Sequence, residues 1–150
     1  MIKVGQVLWF IFRFNNSGSI SSYKHPYLIM HINDDTIEIA QMDHLDGKEF
    51  KLAFRANKPI KCAGETVIDK NSYIQLDNTF LIENYDGLDK FKKTDDTLKV
   101  FDKILEKYDK YHLDNEIDEN KIVYVDRREL EQLNPYDYLY DMFFDEHEDA

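Results

Sequence analysis

The sequence predicts a β-rich α+β fold within a single domain spanning residues 1–150: a small β-barrel core over residues 4–90, then an acidic helical extension over 91–150. Three observations carry this. Short apolar runs broken by polar turn signals fill the first ninety residues, as in small barrels. Helical periodicity begins only after residue 94. With 43% hydrophobic residues, including ten Tyr and ten Phe, there is ample material for one core.

The elements follow in order. Residues 4–14 (VGQVLWFIFRF) are apolar on both faces, which suits a strand packed on two sides, with Trp9 near the barrel core. Residues 15–22 (NNSGSISS) form a polar loop. Residues 27–32 and 36–42 read as two strands joined at Asn33-Asp34-Asp35, a hairpin. After the Asp46-Gly47 turn, residues 50–54 alternate as a fourth strand. Residues 73–76 and 80–82 supply two more. Thr94 is then a helix cap with Asp95 and Asp96 in the first turn, and Leu98, Phe101, Leu105 and Tyr108 recur at helical spacing, which predicts a helix over 95–111. Residues 122–125 read as a short strand, and Asp126 caps a brief helix ending near Leu133. Asn134-Pro135 opens a last helix, with Tyr136, Leu139, Tyr140 and Phe143 on one face.

Charge separates the two parts. The net charge is −11, yet residues 1–60 carry +1 and residues 91–150 carry −9. Phosphate backbones need positive charge at the contact surface, so a nucleic-acid site belongs in the first part. The single cysteine, Cys62, allows no intrachain disulfide and fits a reducing, cytoplasmic compartment. The apolar run over residues 7–12 is too short to span a membrane, and no small-residue cleavage site follows it, so neither a membrane anchor nor a secretory leader is expected.

There is no Gly-rich phosphate loop, zinc-spaced Cys/His pair or nucleophile elbow. His31 and His44 sit on the two strands of the hairpin, where they are either neighbours or separate strand histidines; no metal site is expected. The basic residues Lys48, Lys51, Arg55 and Lys58 interleave with Phe50 and Phe54, the pattern of an RNA-binding strand and equally of a lysine-protected sheet edge. Tyr23 is a loop aromatic that either stacks a base or packs.

The order of segments is informative. A Gly-x-Val-x-Trp-x-x-Phe strand from Gly5 is followed by a polar loop, then Lys24-His25-Pro26 and an apolar strand. Farther on, residues 70–77 (KNSYIQLD) precede residues 79–83 (TFLIE). Over residues 4–90 this resembles the PemK/MazF family of toxin ribonucleases. The resemblance implies a small Src-homology-like β-barrel, usually dimeric. It implies the toxin of a toxin–antitoxin pair, partnered by an acidic antitoxin. Such toxins cleave single-stranded RNA without metal or cofactor, by attack of the 2′-hydroxyl on the adjacent phosphate. That chemistry needs a base, an acid and positive charge at the phosphate.

The resemblance places His25 where the family has the arginine before proline, as acid/base, with Lys24 and Arg55 holding phosphate. Asp43 falls where a Thr or Ser follows the third strand. Asp77 falls where some members carry a functional Asp. With Tyr23, Lys48 and Lys51 these complete the expected site. Two other classes stay open, favoured by the missing arginine and the charge of −11: a non-catalytic barrel that binds a protein partner, and an acidic inhibitor that mimics nucleic acid. The tail over 134–150 has six acidic residues and no Lys or Arg. It is either laid over a Lys48/Lys51/Arg55 face, blocking RNA, or packed with a solvated acidic end.

Overall fold

In the computed structural model, residues 1–135 are described. They form seven strands, β1 (Val7–Phe10), β2 (His25–Ile32), β3 (Thr36–His44), β4 (Asn57–Ile60), β5 (Ser72–Gln75), β6 (Thr79–Glu83) and β7 (Ile122–Val125), and two α-helices, α1 (Phe101–Asp114) and α2 (Arg127–Leu133). The fold is β-rich, as expected. The strand order is β1-β2-β3-β5-β4, while β6 pairs with both β3 and β7. All pairings are antiparallel except β6 with β7, which run parallel. A parallel pair requires a crossover, and α1 lies within it.

The β2–β3 hairpin is the centre. The first half of β3 pairs with β6 and its last three residues pair with β5, so one strand serves two neighbours on the same side. Side chains alternate between faces, and both faces are buried. Tyr27, Ile29, Ile37 and Ile39 enter a core shared with Leu8, Phe10 and Phe80, while Leu28, Met30, Ala40 and Met42 enter a second core. This explains the continuous apolar runs of β1 and β2. Trp9 packs at the rim of the second core, partly exposed, with Lys93 Nζ 5.0 Å from its ring centroid.

The C-terminal part joins both cores. Val123, Val125 and Leu130 enter the first; Leu98, Phe101, Ile104 and Tyr108 enter the second. Two expectations are corrected. Residues 50–54 are no strand: Glu49–Ala53 is a 3-10 helix, with Phe50 and Phe54 exposed. The fourth strand is instead Asn57–Ile60, which its Pro59 disguises. β4 is an edge strand paired only with β5, where a missing N–H costs no ladder bond.

The long helix begins at Phe101 rather than near residue 95. Tertiary bonds hold the preceding segment out of helix. Leu98 N donates to Gly5 O at 2.9 Å, and Gln6 Nε2 donates to Asp95 O at 2.9 Å. The N-terminus of α1 is capped from a distance, because the Glu65 carboxylate accepts from the backbone N–H of Lys99 at 2.7 Å and Val100 at 3.3 Å. A carboxylate there satisfies orphan donors and faces the positive end of the helix dipole. By contrast, Asp126 caps α2 as expected, accepting from Glu129 N at 2.8 Å. No helix among the described residues is long and apolar enough to cross a membrane.

Candidate functional site

Antiparallel pairing sets the start of β2 beside the end of β3. Tyr27 is opposite Gln41, so continuing the register two residues brings His25 level with Asp43. On the far side Asp43 is opposite Tyr73 of β5. His25, Asp43 and Tyr73 therefore stand in one row across three strands. His25 and Asp43 line a cavity of about 340 Å³ together with Trp9, Lys24, His44 and Ser72.

The electrostatics tie the row together. Burial holds the His25 imidazole below its ordinary value of 6.5, with Lys48 pushing the same way and Asp43 opposing. His25 is accordingly neutral at neutral pH and able to accept a proton. Lys48 Nζ donates to Asp43 Oδ2 at 2.8 Å, and that bond raises the ammonium above its ordinary range. Asp43 Oδ1 accepts from the backbone N–H of His44 at 2.9 Å, which fixes the carboxylate. The Tyr73 phenol is raised chiefly by burial, then by the Asp43 charge. Tyr23 lies over the site with its ring centroid 4.6 Å from that of His25, and 61% of its surface is exposed. The result is a neutral base, an ammonium held by a carboxylate, a neighbouring Lys24 and an exposed ring. Those groups suit proton transfer beside a phosphate flanked by an unpaired base.

The fold brings together Tyr23, Lys24, His25, Asp43 and Lys48 and places the other expected residues elsewhere. Lys51 lies against Phe50 and Phe54, with Nζ 5.5 and 5.9 Å from their ring centroids. It lines a separate cavity of about 380 Å³ with Asp77. Asp77 is bound to Lys121 at 2.7 Å. Arg55 lines a third cavity with Lys58 and α1. So Lys48, Lys51 and Arg55 do not share one face, because the 3-10 helix breaks the strand on which they would have alternated. Residues 136–150 of the acidic tail lie outside the described residues.

His31 and His44 are at opposite ends of the hairpin: His31 is opposite Glu38 near the turn, and His44 is opposite Ser72. His31 Nε2 is 2.8 Å from Asp109 on α1. Among the described residues no cluster of three His, Cys, Asp or Glu side chains could hold a metal. Sequence reasoning missed Tyr73 and Lys121. The position of Tyr73 beside Asp43 depends on the β3–β5 register, and the Lys121–Asp77 pair spans 44 residues, so neither left a local signal. Comparison with family models, curated proteins and solved structures finds no match to this chain.

Proposed function

We propose that this chain is a PemK/MazF-like toxin ribonuclease, acting in the cytoplasm as the toxin of a toxin–antitoxin pair and cutting single-stranded RNA at the His25 groove. One observation carries the reading. His25 and Asp43, separately assigned by the resemblance, stand side by side at one cavity with Lys24 and an exposed Tyr23. In this reading neutral His25 takes the proton of the 2′-hydroxyl. The O2′–phosphorus bond forms and the bond to the 5′ oxygen breaks. The Lys48 ammonium hydrogen-bonds the leaving oxygen as negative charge develops on it. That oxygen takes a proton from water, which the His25 imidazolium then restores. The product ends in a 2′,3′-cyclic phosphate. Asp43 positions Lys48, Lys24 lies beside the phosphate, and Tyr23 stacks a base. The natural partner is an acidic antitoxin that competes for Lys24 and Lys48, and a homodimer is the expected assembly of this barrel type.

The test is expression followed by assay. Growth should arrest, and His25→Ala should relieve the arrest with an unchanged circular dichroism spectrum. Purified protein should cut single-stranded RNA in the presence of a chelator. Strict metal dependence sinks the mechanism. A second reading has its own observation: Lys48 is already committed to Asp43, and no arginine precedes Pro26. A folded chain that leaves RNA intact at any pH favours a non-catalytic module that binds protein.

A further inference from the structure

A different cavity is lined by a cluster of cations. About 290 Å³ in volume, it lies between β4, the end of β5 and α1. Arg55 and Lys58 reach it from the strand side; Lys107 and Lys110 reach it from the helix. Leu76 and Tyr111 supply its apolar wall, and Asp114 and Asn115 complete the lining. Four cations and one carboxylate thus converge on one small concavity in a chain whose net charge is −11.

Some of the protein's other cations are held by carboxylates: Arg13 with Glu129 at 2.7 Å, Lys90 with Glu131 at 2.6 Å, Lys121 with Asp77 at 2.7 Å. At this cavity only Lys110 is matched, with Asp114 at 3.0 Å. Arg55, Lys58 and Lys107 form no ion pair among the described residues. Lys107 and Lys110 are also three residues apart on α1, a spacing at which like charges weaken a helix. Asp114 is the one carboxylate in the cavity's lining, so among the described residues four cations face a single acid and the excess positive potential is available to an anionic ligand.

We infer that this cavity binds a phosphate group carried by a nucleotide. Arg55 offers a planar fork of N–H donors that fits two phosphate oxygens, and the lysines add point charges. The Tyr111 ring and Leu76 give the attached base or sugar an apolar surface. A volume of about 290 Å³ suits a nucleotide-sized group rather than a helix or a folded partner. The site does not depend on the His25 groove being catalytic. Its phosphate comes either from a free nucleotide or from an RNA strand, and the two share the same chemistry.

The experiment is an NMR titration of the full chain with adenosine 5′-monophosphate, inorganic phosphate, adenosine and a short single-stranded RNA. Amide shifts at Arg55, Lys58, Lys107 and Tyr111 are expected with the monophosphate, and none with adenosine. The variant Lys58→Gln/Lys107→Gln, which alters side chains with no structural ion pair, should keep the wild-type spectrum elsewhere and bind the monophosphate about tenfold more weakly. If RNA affinity falls in parallel, the strand is the source of the phosphate; if RNA binding is untouched while the monophosphate weakens, a free nucleotide is. The proposal is overturned if neither phosphate nor the monophosphate shifts these residues, or if the double variant binds as well as wild type. It is equally overturned if a glutamate-rich peptide occupies the cavity while the phosphates do not. RNA cleavage is read separately, so the nuclease reading can fail while this site stands, and the reverse.

Discussion

At one end of β5, Lys48 is held 2.8 Å from the Asp43 carboxylate beside His25; at the other, Arg55, Lys58 and Lys107 surround a cavity without a carboxylate partner among the described residues. The two regions use the same residue types for different physics. A paired ammonium has its position fixed and its field largely cancelled, which suits a short-range hydrogen bond to a leaving oxygen. Unpaired cations keep their field, which suits holding an anion. The difference arises from the elements that supply them. Lys48 sits just past the end of β3, within reach of a strand carboxylate, whereas Lys107 projects from a helix packed across the strands.

The largest expected effect separates the two directly. His25→Ala should lower RNA cleavage by about 10²–10⁴-fold, the usual worth of a general base. It should leave the nucleotide titration of the α1 cavity unchanged. If both fall together, the two regions are one site, and the comparison collapses.

Phe101→Ala acts on the other side. Phe101 is 7% exposed in the second core, and its removal should cost about 3–5 kcal/mol in denaturant unfolding. Because Phe101 anchors α1, phosphate binding should weaken before the His25 groove is lost. A loss below about 1 kcal/mol would mean that α1 is held by its other contacts.

A pH series sharpens the contrast. Burial keeps His25 below its ordinary 6.5, so the unfolded chain binds more protons than the folded chain as pH falls through this region. Stability contributed by His25 therefore rises with pH across the window from its folded value up to 6.5. Cleavage should follow the same group, with an acid limb whose midpoint lies below 6.5. A midpoint above 6.5 would mean that Asp43 outweighs burial.

The smallest effect is at Glu65. Its carboxylate caps α1 from a distant loop, and Glu65→Ala should cost about 1 kcal/mol, as loss of a helix cap does. Fraying should appear as faster hydrogen exchange in the first turn of α1, while β2 and β3 are unaffected.

The hairpin, β6, β7 and α2 were legible because their signals are local: alternation, a turn at residues 33–35 and a side-chain cap at Asp126. The adjacency of His25 and Asp43 was only half legible. The sequence put each at a strand end, but the register made them neighbours. The basic-aromatic stretch over residues 48–58 misled for a physical reason. Its alternation has period two, yet Phe50 and Phe54 find no core to enter, so a 3-10 helix replaces the strand and sends Lys48, Lys51 and Arg55 in separate directions.

The sequence by itself determined the β-rich first part, the later helices and the concentration of acidity after residue 90, because composition and periodicity are properties of neighbouring residues. Tertiary structure decided the rest. The start of α1 is set by Glu65, Gly5 and Gln6, which lie 34 or more residues away from the groups they bond. The parallel pairing of β7, the row of His25, Asp43 and Tyr73, and the gathering of Arg55 and Lys58 against Lys107 and Lys110 likewise join distant segments. No local preference encodes such contacts, since each exists only once the two cores have closed on either side of the central hairpin.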